Sequence, residues 1–243
     1  MGVHLDRRPS HEVLGVSDSI GTRLISKEEL EALCVEPPLQ LFPSREHMLG
    51  CDIYVAGIDW SGGGTTGVSR TVVWIWGHNV KTDRLVTKAY KVYPGLNPVE
   101  AHEEIVQVCK AYNVKFVVGD AGEGALANDL MRKGLGHHRV TQVQYGSNKH
   151  ALEFNNVDRY LGDRTTLIDN FFMFLKDKKA SFGPLAEMKV AIDDMLNEYE
   201  EVTTLGKKVW RHFPQKPDDC LHAALLGWIA WKITSRDLRF WQE

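Results

Sequence analysis

Two periodicities run along this chain, and the switches between them lay out its elements. Residues 53–59 (Ile-Tyr-Val-Ala-Gly-Ile-Asp), 71–76 and 84–93 are β-branched and aromatic runs bounded by turn-forming residues. Their spacing predicts an antiparallel three-strand meander, with a turn at Gly77-His78-Asn79. Over 98–112 the period changes to that of a helix, with Ile105, Val106 and Cys109 on one face. Residues 114–119 then read as a short buried strand ending at Asp120, 125–132 as a helix and 140–145 as another strand. Helices are expected over 165–178 and 185–199, a β-hairpin over 201–212 with its turn near Gly206, and a long apolar helix over 218–234.

Residues 1–50 differ from the rest. Ser26 followed by Glu29 is a capping-box signature for a short helix, and Glu36-Pro37-Pro38 stops it. This stretch reads as a linker or docking arm, and residues 51–243 as one domain. Within that domain, three strands followed by helix-linked strands predict an α/β fold. It has a mixed sheet, an antiparallel meander plus parallel strands, with helices on both faces.

Composition narrows the picture. The 243 residues are 43% hydrophobic, enough for a sizeable core. No run reaches the roughly 18 consecutive apolar residues of a membrane span, and the N-terminus lacks the apolar core of a secretion signal. A cytoplasmic, non-secreted protein with no membrane partner is expected. Cys34, Cys51, Cys109 and Cys220 are scattered without a Cys-x-x-Cys pair, which argues against a zinc ribbon or disulfide framework. The formal charge of -3 counts against strong nucleic-acid binding by the domain alone. Acidic metal ligands and tethering to a DNA-gripping partner both soften that objection.

The candidate chemistry lies in three acidic clusters. Asp59 and Asp120 end apolar strands, and Asp218-Asp219 opens the last helix. Carboxylates at strand ends and a helix start can converge and hold hard divalent cations, Mg²⁺ or Mn²⁺. Two such ions activate a water and stabilise the leaving oxygen of a phosphodiester. Each residue also has a plain structural reading. Asp59 can end its strand as an Asx-turn, and Asp218 or Asp219 can be a helix cap. A buried Asp120 needs a partner, and a metal is one. Glu123 either reaches a metal through water or is an ordinary helix-start glutamate. His222 shares a helix face with Asp219. Lys149, His150, Arg159, Arg164, Lys207 and Lys208 are candidate phosphate contacts, or solvated surface charges. Trp60 either stacks on a base or belongs to the core.

The element order is that of the ribonuclease H-like fold, and the chain resembles the nuclease domain of bacteriophage terminase large subunits. Three stretches carry the resemblance: Glu12-Val13-Leu14-Gly15 with the Ile25–Leu30 segment, Val55 to Gly62, and Pro217-Asp218-Asp219-Cys220-Leu221-His222-Ala223. It implies a metal-dependent DNA endonuclease of low sequence specificity that cuts concatemeric viral DNA during genome packaging. Asp59, Asp120 and Asp219 would be its catalytic metal ligands, with His222 and Asp218 as further candidate ligands, Asp218 alternatively being a cap. It also implies double-stranded DNA as substrate and an ATPase domain beyond this chain, in which no P-loop occurs. A terminase small subunit and a portal protein would be partners, in the cytoplasm of an infected bacterium. The chain departs from the family at His222, where Asp is common, and at Gly62–Gly67, which lacks a further Asp. Imidazole is a softer ligand than carboxylate, so Mn²⁺ is expected to serve better than Mg²⁺. Three other readings remain open: a Holliday-junction resolvase or transposase of the same superfamily, an actin-like or sugar-kinase-type ATPase module suggested by Gly62-Gly63-Gly64-Thr65-Thr66-Gly67, and a non-catalytic DNA- or protein-docking module.

Overall fold

The computed structural model describes residues 23–61, 69–95, 97–122, 124–146, 148, 150–155 and 159–236. Glu123, Lys149, the Gly62–Gly67 loop and the Glu12–Gly15 stretch lie outside the described residues.

The meander forms as expected from β1 (Ile53–Asp59), β2 (Thr71–Asn79) and β3 (Arg84–Tyr93). They are followed by α2 (Pro98–Ala111), β4 (Phe116–Asp120), α3 (Ala125–Leu135) and β5 (Val140–Gly146), after α1 (Lys27–Glu31) in the arm. The chain continues through β6 (Leu152–Phe154), β7 (Tyr160–Asp163), α4 (Arg164–Lys176), β8 (Ala180–Ser181) and α5 (Leu185–Met195). It closes with β9 (Glu198–Val202), β10 (Lys208–His212) and α6 (Asp219–Ser235). Eight strands make one mixed sheet in the order β6-β7-β5-β4-β1-β2-β3-β8, and β9-β10 form a separate hairpin. No described helix is long and apolar enough to cross a membrane.

The period of two decides which face each strand residue serves. Val55, Val72, Trp74, Trp76, Val118 and Val143 join the core under α4, α5 and α6. Tyr54, Ala56, Ile58, Val73, Ile75 and Val117 join the core under α2 and α3. By the same alternation Asp59, Asp120 and Tyr145 point to the α6 side. β4 lies parallel to β1 with Ile58 opposite Gly119, so Asp59 and Asp120 leave the sheet side by side.

Helix α6 is buried continuously from Asp219 to Ala230, as a helix covered on every side must be. It crosses β1 at a glycine contact. A Cβ on Gly57 would lie 2.0 Å from the Ala223 carbonyl oxygen and 2.1 Å from the Gly227 nitrogen. The Trp76 indole N–H donates to the Ala224 carbonyl at 2.9 Å. Close approach at Gly57–Gly227 therefore sets the height of α6 and brings its first turn over the strand ends.

The structure corrects several local expectations. The first turn falls after Asn79, because Gly77 and His78 still pair with Val86 and Leu85. The Asn79 side chain then accepts from the Lys81 and Thr82 amides. The helix expected over 185–199 stops at Met195, because Glu198–Val202 pairs with Lys208–His212. β6, β7 and β8 were not foreseen. They are short pieces at the two sheet edges, where pairing with an existing strand outweighs weak local preference.

In the arm, the capping box forms as expected, with Glu29 N–H donating to Ser26 Oγ and Ser26 N–H to Glu29 Oε2. Residues 23–50 pack around the β3–β8 edge. Ile25, Leu30 and Leu33 are buried in the α4–α5–α6 core, whereas Leu41 and Met48 pack on the opposite one. The Tyr112 hydroxyl donates to the Gln40 carbonyl.

Candidate metal centre

Each acidic side chain is delivered by a different element. Asp59 and Asp120 come from adjacent parallel strand ends. Asp218 and Asp219 come from the start of α6, and Glu198 from the first position of β9. With Tyr145, Arg164, Trp210, His212 and His222, the residues Asp59, Asp120 and Asp218 line a cavity of about 700 Å³.

Electrostatics in this cavity are unbalanced at its floor. Burial pushes the Asp59 carboxyl well above its ordinary range, and the nearby charges of Asp219, Asp120 and Asp218 push it further. Arg164 opposes the shift and does not cancel it. Burial likewise raises Asp219, against the pull of Arg70. A carboxylate in this setting either carries a proton or faces a cation. The Tyr145 hydroxyl is also raised far above its usual value, by burial and then by Asp59 and Asp120, so it remains a neutral donor.

The pair at the helix start is braced by arginines. Arg70 Nε donates to Asp219 Oδ2 at 3.0 Å, and Arg70 Nη2 donates to the buried Asp194 at 2.5 Å. Asp194 also accepts the Cys220 N–H at 3.0 Å, which ties the first turn of α6 to α5. Asp218 occupies the N-cap position, but its side chain makes no capping hydrogen bond. The expected cap role is not what the structure shows, because Asp218 faces His222, Arg164 and His212 instead. Its Oδ2 lies 3.2 Å from His222 Nε2, 3.5 Å from Arg164 Nη2 and 3.5 Å from His212 Nδ1. Burial alone would raise Asp218, but the hydrogen bond and charge of His222, with help from Glu198 and His212, hold it well below the ordinary carboxylate range.

His222 sits where these groups meet. Tyr145 Oη lies 3.3 Å from its Nδ1. In the neutral ring a Tyr145 O–H donating to Nδ1 leaves the proton on Nε2, directed at Asp218; in the charged ring both nitrogens donate, Nδ1 to Tyr145 Oη and Nε2 to Asp218. Nε2 is also 3.2 Å from Arg164 Nη2, a contact that the other tautomer would turn into a hydrogen bond.

The other expected residues are dispersed. Arg164 is drawn into the cavity wall and does not project as a surface phosphate contact. Lys208 is held by Asp169 at 3.0 Å and Glu200 at 2.8 Å. Lys207 is exposed on the hairpin loop, as expected of a charge that meets solvent or phosphate. Arg159 donates to Gln144 at 3.2 Å, and His150 is half-buried in the segment before β6. Trp60 belongs to the core, 4% exposed, with its indole N–H donating to Asn128. Cys109 and Cys220 are buried, as expected of small apolar residues.

Sequence reasoning missed Glu198, Arg70, Asp194 and Tyr145. Glu198 is 1% exposed and its Oε1 pairs with Arg164 Nη2 at 2.5 Å, yet its Oε2 has no hydrogen-bond partner. Glu198, Asp218 and His222 each offer a ligand atom within 4.8 Å of the others. A hairpin placed three residues earlier would have marked Glu198 as a strand residue. The pairing of Arg70 with Asp194, 124 positions away, left no local signal.

The donors present fit a divalent cation. They are mainly carboxylate oxygens with one imidazole, Asp59 is raised by burial and then by like charge, and a buried Glu198 oxygen has no hydrogen-bond partner.

A mixed sheet whose first strand carries an acidic end beside the strand that follows the first crossover helix, faced by a late acidic helix start, defines the ribonuclease H-like class. Solved structures similar to this chain share that fold. The nuclease domain of the large terminase subunit gp2 of bacterial virus Sf6 aligns with a TM-score of 0.59 and 11% identity, covering 84% of this chain and 97% of that one. The large terminase nuclease of Thermus phage P74-26 aligns at 0.57 and 16%, covering 84% and 94%. The large terminase nuclease of thermophilic phage G20c with bound magnesium aligns at 0.56 and 16%, covering 86% and 98%. At these identities the likeness is one of fold. No family model and no curated protein matches the sequence.

Proposed function

We propose that this chain is the nuclease domain of a bacteriophage terminase large subunit, a metal-dependent endodeoxyribonuclease that cuts double-stranded DNA during genome packaging. The observation that carries this reading is the convergence of Asp59, Asp120 and Asp218 on one cavity from two strand ends and a helix start, with Asp59 raised by burial and then by the charges of Asp219, Asp120 and Asp218. Nuclease domains of similar fold have been solved with magnesium, and with manganese in phage SPP1.

In this reading Asp59, Asp120 and Asp219 hold Mg²⁺ or Mn²⁺, with Asp218 and His222 adjoining. Bound as a pair, such ions supply an activated water and stabilisation of the leaving oxygen. The protein's own residues do the rest. Arg70 fixes the rotamer of Asp219 through Oδ2. Tyr145 orients the His222 ring. The α6 N-terminus adds positive potential beside the carboxylates. Lys207, His150 and Arg159 are the proposed contacts to DNA phosphates, with Lys149 from outside the described residues. Weak, salt-sensitive binding follows from a net charge of -3. Residues 1–50 would join this domain to the packaging ATPase, and that tether would supply the local concentration of DNA.

Incubation with supercoiled plasmid and Mn²⁺, Mg²⁺ or EDTA tests the reading. Nicking and linearisation are expected with metal and not with EDTA. Asp59→Asn is expected to lower the rate on the order of a thousandfold or more. Metal-dependent cleavage undiminished in Asp59→Asn with native circular dichroism would refute the assignment. Preference for branched over linear DNA would move it to a resolvase.

A further inference from the structure

Arg164 occupies a position that a cation would take. It is the first residue of α4, where Asp163 caps the helix by accepting the Thr166 N–H at 2.9 Å. The guanidinium is thereby launched from a fixed helix start into the cavity wall. Its Nη1 donates to the Trp210 carbonyl at 2.8 Å, which anchors it to the hairpin. Its Nη2 sits 2.5 Å from Glu198 Oε1, 3.2 Å from His222 Nε2 and 3.5 Å from Asp218 Oδ2. Those three residues are the same set whose ligand atoms gather within 4.8 Å of one another. One nitrogen of a permanently charged group thus faces two carboxylate oxygens and an imidazole nitrogen.

The surroundings are mismatched to an arginine alone. A guanidinium satisfies a carboxylate best through two parallel N–H bonds, and here Glu198 receives one. Glu198 Oε2, in a side chain with no measurable exposure, is left without a hydrogen-bond partner. Imidazole Nε2 is a poor partner for a guanidinium when its ring proton is directed at Asp218, and it offers a lone pair to a metal ion in the tautomer whose proton sits on Nδ1.

We propose that Arg164 is a tethered cation that competes with a divalent metal for a subsite made of Glu198, Asp218 and His222. This rests on the nuclease reading above and deepens it, since the subsite adjoins the Asp59–Asp120 pair in one cavity. Two carboxylates and one imidazole make a ligand set of intermediate softness, suited to Mn²⁺ more than to Mg²⁺. While Arg164 is seated, its charge raises the cost of bringing a second cation to the same ligands. When the metal takes them, the guanidinium is released beside the cavity, where a phosphate oxygen of bound DNA would receive it. Metal loading at this subsite would therefore be linked to DNA binding.

Mn²⁺ binding to the whole chain, without DNA, tests the proposal by calorimetry and by the electron paramagnetic resonance of free Mn²⁺. Arg164→Gln is expected to bind Mn²⁺ at least about tenfold more tightly at this subsite, or to gain an equivalent seen only weakly in the wild type. The double variant Arg164→Gln/Glu198→Gln should lose that gain, because a ligand goes with the competitor. Unchanged affinity and stoichiometry in Arg164→Gln, or a gain that survives in the double variant, overturns the proposal. Should Arg164→Gln fail to fold, Arg164→Lys replaces it, since an ammonium cannot span Glu198 and the Trp210 carbonyl as the fork does. A gain of a few-fold is then expected, and no gain overturns the proposal. Absence of Mn²⁺ binding by the wild type and by Arg164→Gln alike would instead sink the nuclease reading itself.

Discussion

The strand-end side of the cavity and its helix-start side treat their carboxylates in opposite ways. Asp59, on the strand-end side, leaves a rigid sheet next to Asp120, with burial and like charge both raising it. Asp218, on the helix-start side, is surrounded by His222, Arg164 and His212 and held below the ordinary range. Asp219 lies between the two regimes, raised by burial yet bonded to Arg70. The lesson is that one side is prepared to receive cations, while the other already carries its own. The ends of central strands give fixed positions, where the charge of Arg164 does not offset burial and like charge at Asp59. A helix start packed against a hairpin and another helix is surrounded by long side chains that can reach it.

The largest effect expected from breaking this contrast is on the braced side. Arg70→Met leaves Asp194 and Asp219 buried without their shared cation. A destabilisation of about 3–5 kcal/mol is expected, read as the midpoint shift in urea unfolding. Little change in midpoint would mean that the brace contributes nothing. Arg70→Lys should recover only part of the loss, because one ammonium cannot serve both carboxylates in the same geometry.

The pH dependence sharpens the same contrast. Asp59 titrates at 3.8 in its ordinary state and higher when folded. Its stabilising contribution is therefore full below about pH 4 and is lost as pH rises toward the folded value. Asp218 has the reverse sign. Its contribution is present above its ordinary 3.8 and is lost as pH falls toward its depressed folded value. In metal-free protein, Asp59→Asn should flatten the decline of Tm above pH 4, and Asp218→Asn the decline on the acid side. Mn²⁺ should raise Tm more at pH 7 than at pH 5, because binding to a raised carboxyl displaces a proton. Identical pH profiles for wild type and Asp59→Asn would remove the electrostatic argument for a cation at the strand ends.

The smallest expected effect concerns metal preference. His222→Asp replaces imidazole by carboxylate beside Asp218 and should lower the Mn²⁺/Mg²⁺ ratio of cleavage rates by a few-fold, on the order of the change in ligand softness. A constant ratio would show that His222 serves Asp218 and Tyr145 only.

Much of the scaffold was legible in the sequence because it is written in local periodicity. The apolar, β-branched runs at 53–59 and 114–119 identified strands and placed Asp59 and Asp120 at their ends. The apolar run after Asp219 identified a helix buried on every side, and Ser26 with Glu29 marked the start of the arm helix. Short edge strands such as Leu152–Phe154 were not legible, since three residues carry no period. The helix limit at Met195 was not legible either, because residues 196–199 suit a helix until the hairpin claims them.

The sequence by itself determined the order of the principal elements and the three acidic positions at two strand ends and a helix start. These follow from backbone sterics and the burial of apolar side chains, which act over neighbouring residues. Only the tertiary structure decided what surrounds each carboxylate. Arg70 meets Asp194 and Asp219, Arg164 meets Glu198 and Asp218, and Tyr145 meets His222, across separations of 34 to 149 positions. Such pairings depend on where helices cross the sheet, and that crossing is set by the close fit of Gly57 against Gly227. Charge interactions fall off with distance and grow with burial. Neither quantity is written in the order of residues, so the protonation and cation demand of the site emerge only once the chain is packed.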